Sequence, residues 1–251
     1  YMPRFNGDTV PSTMEGAILS IIDKMDTIAG FFAIGIQPTG SADPFALRRQ
    51  CIGILTILLE KNIEIDVARL ASISLDQYSS VEFDKDSVID NIIEFFNERT
   101  KNMFKDMGIR YDVVEAVLAS DEKNISDLYV RAEAMNKWID RDSLTDMLVA
   151  FNRVSNLAEG AETDKIDQAL LLEDVEKELY DNFKDVDSKI SDLMDQKEYT
   201  KSLDAFASLK PAVDNFFDNV MVMSDNPKLR TNRLALLKNI SDSMLKVCDL
   251  T

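Results

Sequence analysis

The stretch with the clearest chemical content is SDNPKLRTNRLALLKN, residues 224–239. Asp225 or Asn226 suits a helix N-cap, and Pro227 the first helical position, where a missing N–H costs nothing. Lys228 and Arg230 then fall in the first turn, and Arg233 lies one turn further on. Cations there add to the positive end of the helix dipole, which favours acids, at a cost of about a few tenths of a kcal/mol unless an anion compensates. A phosphate is the natural anion for that place. The alternative is that these side chains extend into solvent or pair with carboxylates of the chain itself.

The stretch ADPFALRR, residues 42–49, repeats this grammar with Asp43 as cap, Pro44 as first helical residue, and Arg48 and Arg49 behind them. These arginines lie deeper in their helix and border an apolar run, so a structural role competes more strongly. Ahead of them, Gly35, Pro38 and Gly40 break a helix, and Ser41 to Asp43 offers side-chain acceptors, which makes a helix–turn–helix corner. GIQPTGS has glycines but no Walker-type lysine and follows no strand, so it is not a phosphate-binding loop. Asp23 and Asp26 in IIDKMDTIAG can share a helix face, but a stable divalent site needs more ligands than two. A solvated or salt-bridged face is the simpler reading, and no metal site is assigned.

Histidine is absent from the 251 residues, which removes imidazole acid–base chemistry, Ser-His and Cys-His dyads and His-ligated zinc. Cys51 and Cys248 sit in apolar helical runs without metal-ligand spacing and read as reduced core residues. Phe206, Phe216 and Phe217 suit a core better than a base-stacking platform, although one can serve both. No catalytic constellation emerges, and the chain by itself is expected to catalyse nothing.

The elements that must position these residues are helical almost throughout. Eight glycines and six prolines are few for this length, and apolar residues recur at helical spacing. The pattern predicts helices over 12–34 (opened by Ser12, with apolar positions at Ile18, Ile21, Ile22, Met25 and Ile28), 44–60, 65–76, from Asp86 or Ser87 to Met107, 111–119, Ser126 to Trp138, from Asp142 or Ser143 to Leu157, 165–195, 198–222 and Pro227 to about 248. VEFDKDSV and SDEKNISD are polar connectors, and AEGAETDK is the clearest flexible loop. No run approaches the roughly 20 apolar residues that span a bilayer. Tyr1 in place of a start methionine suggests a piece of a longer polypeptide.

The formal charge of −17 argues against indiscriminate nucleic-acid binding. Its distribution is uneven. Residues 159–198 hold fourteen acids against five lysines, a net of −9, whereas residues 227–240 hold four bases and no acid. A repelling stretch beside a basic one can select one polyanion in one pose.

IIDKMDTIAGFFAIGIQPTGSADPFALRRQCIGIL, residues 21–55, resembles the characteristic segment of the β subunit of bacterial heterotetrameric glycyl-tRNA synthetase. That family reads close to A-D-K-L-D-T-L and then P-T-G-S-x-D-P-F-A-L-R-R. RYDVVEAVLAS at 110–120 is similar to a second family segment. SLKPAVDNFFDNVMVMSDNPKLRTNRLALLKNI at 208–240 resembles the end of its helical anticodon-binding domain, of the type shared with arginyl-tRNA synthetase.

The resemblance implies an all-α chain from the C-terminal part of that subunit. Residues 1–80 would be a helical unit like the tail of an HD-type phosphohydrolase fold, 81–140 a connecting region, and 141–251 a DALR-like anticodon-binding bundle. Asp23 falls where HD folds place a late metal-binding aspartate, but no His-Asp pair accompanies it. The complete cytoplasmic enzyme would use ATP with Mg to join glycine to its tRNA on the α subunit, in an α2β2 assembly, with no membrane or DNA partner. This chain would hold no cofactor and would bind glycine tRNA. Lys228, Arg230 and Arg233 would then hold phosphates, while Asp225 accepts the amine of an anticodon cytosine. Arg48 and Arg49 would face tRNA backbone or a neighbouring domain. Two other readings remain: a helical protein-interaction module without RNA binding, and a metal-dependent phosphohydrolase.

Overall fold

The computed structural model describes residues 2–3, 7–40, 42–120, 122–139 and 144–246, without the side chains of 144–148. The fold is all-α, and among the described residues extended pairing is confined to two isolated bridges, Thr39 with Ala42 and Asp66 with Asn124. The chain divides into two compact units, residues 1–114 with 122–130, and residues 115–121 with 131–251.

The first unit is built on α1 (Met14–Ala33), α2 (Leu47–Lys61), α3 (Val67–Leu75) and α4 (Lys85–Asp106), with parts of α5 (Tyr111–Leu118) and α6 (Ile125–Trp138). Thr13 caps α1 by accepting from the Gly16 amide at 3.1 Å, one residue after the expected Ser12. The buried stripe of α1 is Ala17, Ile21, Met25, Ile28 and Phe32, spaced four, four, three and four, whereas the expected Ile18 and Ile22 face solvent. α2 is buried nearly all round, as its run of apolar residues requires. α4 turns Ile92, Phe95, Phe96 and Phe104 inward, with Phe95 edge-on to Phe32 at 5.2 Å. Each large side chain buried in this way contributes roughly 1.5–3 kcal/mol. Asp84, not Asp86 or Ser87, caps α4. Asn124 caps α6 through the Ser126 amide, which frees the Ser126 hydroxyl to donate to the carbonyls of Leu58 and Ile63.

The second unit holds α7 (Leu144–Ala158), a 3-10 turn (Gln168–Leu170), α8 (Asp174–Asp195), α9 (Tyr199–Ala207), α10 (Lys210–Asn219) and α11 (Pro227–Leu245). α11 is the central element, with Ala235, Leu236, Leu237 and Ile240 wholly buried. Two sequence expectations are corrected here. The helix expected over 165–195 begins only at Asp174, because the residues before it turn tightly and are held to α11 by side chains described below. The single helix expected over 198–222 is two, α9 and α10, and Pro211 is the reason: its ring clashes with the carbonyl four residues back and it offers no N–H. The expected caps Asp142 and Ser143, together with Ser41 and Cys248, lie outside the described residues.

Candidate nucleic-acid interface

The start of α11 forms as its sequence demands. Asn226 is extended, its side-chain oxygen accepts from the Lys228 amide at 3.1 Å, and Pro227 occupies the first helical position. Asp225 and Lys228 are exposed, and the Lys228 ammonium has no hydrogen-bond or ion-pair partner among the described residues. Arg230 is half-buried and turns back, its guanidinium 3.4 Å from the Ser224 carbonyl.

Arg233 is a correction. It is 6% exposed, its Nε donates to Glu176 Oε1 at 2.6 Å, and one terminal nitrogen donates to the Met221 carbonyl at 2.9 Å. Glu176 is fully buried, and its other oxygen accepts from the amides of Leu172 and Glu173 at 2.9 and 2.8 Å. The guanidinium and carboxylate therefore satisfy each other and three backbone groups. Arg233 is an internal tie, not a phosphate ligand. A residue one turn inside an amphipathic helix faces wherever the helical period sends it, and here the period sends it inward.

A cation that the sequence analysis missed comes to the same tip. Asn232 accepts from the Asp167 amide at 2.7 Å and donates to the Asp167 carbonyl at 3.1 Å. Asn239 donates to the Asp164 carbonyl at 2.7 Å. These two asparagines button the segment before α8 onto α11 and bring Lys165 beside Lys228. Both line a cleft of about 320 Å³ with Asp167, Pro227 and Thr231. No local signal marks Lys165, because it sits in the most acidic part of the sequence and 63 positions before Lys228.

The aromatic residues are core residues, as expected: Phe206, Phe216 and Phe217 are all buried, and Phe206 packs on Phe151 at 4.3 Å. Phe217 also carries the Arg153 guanidinium, whose carbon lies 4.1 Å from the ring centre. Arg153, Asn152, Asn156, Phe217, Met221 and Met223 line an open groove of about 880 Å³. The Asn152 side-chain oxygen is buried there without a hydrogen-bond partner. Leaving such an atom unmet costs about 1–3 kcal/mol. Neither Asn152 nor Arg153 belongs to a recognisable motif, so the sequence alone did not single them out.

In the first unit, the corner before α2 is tighter than its sequence suggests. Helical geometry starts at Leu47, not at Pro44. Pro44 lies in a turn, and Asp43 reaches forward to accept from the Leu47 and Arg48 amides at 2.8 and 3.0 Å. Arg48 donates back to the Gly40 carbonyl at 2.8 Å, so its charge braces the corner. Gly40 has a φ of 48°, which favours glycine at the start of that turn. Arg49 is exposed and has no partner among the described residues.

The remaining candidates are structural. The Tyr78 hydroxyl lies 3.0 Å from Asp26 Oδ1 and from the Asp26 carbonyl. Gly30 permits that approach, because a Cβ there would stand 2.6 Å from the hydroxyl. Among the described residues no cluster of three or more acidic or cysteine side chains can hold a metal, and no helix is long and apolar enough to cross a membrane. Burial pushes the Cys51 thiol well above its ordinary range, with Arg99 opposing weakly, which keeps it un-ionised and unreactive. Lys24 is buried on α1 and donates to Ser20 Oγ at 2.6 Å, and burial lowers its pKa while Asp23 pulls it up.

The chain is similar to known proteins along its length. Residues 1–119 match the family model described as "Glycyl-tRNA synthetase beta subunit", and residues 147–250 match the "DALR anticodon binding domain". The chain is 56% identical over 251 residues to the glycine–tRNA ligase beta subunit of Clostridioides difficile (strain 630), covering 100% of this chain and 36% of that protein. The corresponding protein of Desulforamulus reducens is 40% identical over 252 residues, covering 99% and 36%. That of Pasteurella multocida is 38% identical over 254 residues, covering 100% and 37%. The chain thus spans little more than a third of the length of these relatives.

Proposed function

Because the chain belongs to the glycyl-tRNA synthetase beta subunit family, we propose that it is the tRNA-binding, anticodon-recognising portion of that subunit. In this reading residues 141–251 are the anticodon-binding domain, within which the DALR match at 147–250 falls. Residues 81–140 connect it to an HD-like unit over 1–80. The chain supports glycylation of tRNA carried out with ATP and Mg on an α subunit, in a cytoplasmic α2β2 enzyme, and supplies no reacting group itself.

The observation that carries the reading is the exposed tip of α11. Lys228 there is unpartnered, stands with Lys165 over one cleft, and belongs to a chain otherwise dominated by acids. Two exposed ammonium groups beside the positive end of a helix dipole are what an RNA phosphate needs. Arg230 contributes charge from behind, Asp225 offers an acceptor for a cytosine amine, and Arg49 is the cation of the first unit available to a backbone. Arg48 braces the corner that presents Arg49.

The acidity elsewhere supplies selectivity. Like-charge repulsion lowers the affinity of poses that do not seat a phosphate at the tip. The test is filter binding with glycine tRNA and a non-cognate tRNA of equal length. The expected result is preferential retention of glycine tRNA that weakens steeply with salt. Equal, weak retention of both would favour a helical protein-interaction module instead.

A further inference from the structure

The groove against α7 carries a more specific assignment than the tip does. It is walled by the end of α10 and the segment 220–223, and that segment is fixed by the bond from buried Arg233 to the Met221 carbonyl. Its lining combines an arginine whose guanidinium carbon rests 4.1 Å from an aromatic ring centre, an asparagine whose buried amide oxygen has no partner, and two methionines that are 74% and 56% exposed at positions 221 and 223.

We propose that this groove receives one unpaired base of an RNA loop, with Arg153 stacking on the base face and the Asn152 amide meeting its hydrogen-bonding edge. The proposal rests on the tRNA-binding reading above and adds the place where a base is read. Arg153 is exposed while its guanidinium rests on Phe217, which is buried. The guanidinium is thus held on one side by the ring, and its exposed side is left for a second planar partner. Stacking on a guanidinium already held in place loses little rotamer freedom. Nucleobases, unlike aliphatic side chains, offer both a planar face and an edge of donors and acceptors.

The edge chemistry selects among bases. The Asn152 oxygen is buried without a donor, and in the proposed complex the amide turns about its last torsion to present that oxygen to the base edge. Cytosine presents an exocyclic amine where uracil presents a carbonyl. The methionines supply polarisable, adaptable contact to the ring edge and sugar. Asp218 at the exposed rim disfavours a phosphate inside, so the backbone is expected to run outside the groove. The volume, about 880 Å³, falls in the range of about 300–1,000 Å³ typical of small-ligand pockets. An apolar side chain alone would use the methionines but would leave the amide oxygen unmet.

The experiment titrates the intact chain with an RNA stem-loop copying the glycine tRNA anticodon arm, and with versions in which each loop cytosine is replaced singly by uridine. Arg153→Lys keeps the charge and loses the plane, and is expected to weaken binding about tenfold with an unchanged salt slope. Arg153→Tyr restores a stacking plane and is expected to recover most of the loss. At one loop position the wild-type chain should prefer cytosine by about fivefold, and Asn152→Leu should erase that preference. If both Arg153 variants and Asn152→Leu bind and discriminate like the wild type, while Lys228→Ala binds more weakly, the base pocket is overturned and the tRNA-binding reading stands. If the wild-type chain does not bind the stem-loop at all, both fall.

Discussion

The two proline-bearing helix starts share a grammar and diverge in geometry. At α2, Asp43 stands four residues ahead of the helix and takes two of its free amides, while Arg48 folds back on the Gly40 carbonyl. At α11, Asn226 caps directly and the chain runs straight into helix from Pro227. The first arrangement spends its nearest cation on the corner. The second leaves Lys228 exposed and sends Arg233 into the interior to meet Glu176. The same string of cap, proline and cations therefore yields a brace in one unit and an exposed charged tip in the other. What decides is where helical φ,ψ begins, because that sets the rotation of every later cation about the helix axis.

The largest expected effect separates the two cations of α11. Arg233→Ala leaves a buried carboxylate unpaired and frees the Met221 carbonyl, and should cost about 3–5 kcal/mol in urea unfolding of the second unit. Lys228→Ala should change stability by no more than about 0.5 kcal/mol, as an exposed substitution does. Equal costs would erase the distinction between interior tie and exposed ligand.

The two caps come next. Asp43→Ala removes an acceptor from two amides and should cost about 1–2 kcal/mol, and Asn226→Ala, which frees one, about 1 kcal/mol. Thermal unfolding measures both. A larger loss at Asn226 would reverse the ranking of brace over simple cap.

The smallest effect contrasts two buried cations. Arg233 is buried with a carboxylate, whereas Lys24 is buried with a serine hydroxyl. Burial lowers the Lys24 pKa from 10.5, so the folded chain releases that proton before the unfolded chain does. Its contribution is unfavourable below the folded value and is relieved as pH rises toward 10.5. Lys24→Met should remove this alkaline gain in stability, read from urea midpoints across that window. A gain that persists in the variant would assign it to another group.

Much of this was legible in the residues. The helical period of Ala17, Ile21, Met25, Ile28 and Phe32, the Pro227 start and the all-round apolarity of α2 are local properties, and the all-α class follows from them. The sequence also resembled the family that the comparisons identify. What local pattern did not carry was pairing at long range. Arg233 and Glu176 lie 57 positions apart, and only packing shows that this cation is internal. Lys165 reaches the tip through hydrogen bonds from Asn232 and Asn239, two asparagines with no helical periodicity to mark them. Asn152 and Arg153 became visible only when α10 ended beside α7. Pro211 was in plain view as a helix breaker, yet the apolar spacing on both sides of it suggested one helix.

The central claim is that the tip of α11 holds RNA phosphate through Lys228 and Lys165. Its most direct test is the salt dependence of glycine tRNA affinity for the wild-type chain and the Lys165→Ala/Lys228→Ala double variant. Two lost single-strand phosphate contacts should make the log–log slope shallower by about 1.4 and weaken binding at low salt. An identical slope and affinity in the double variant would contradict the account.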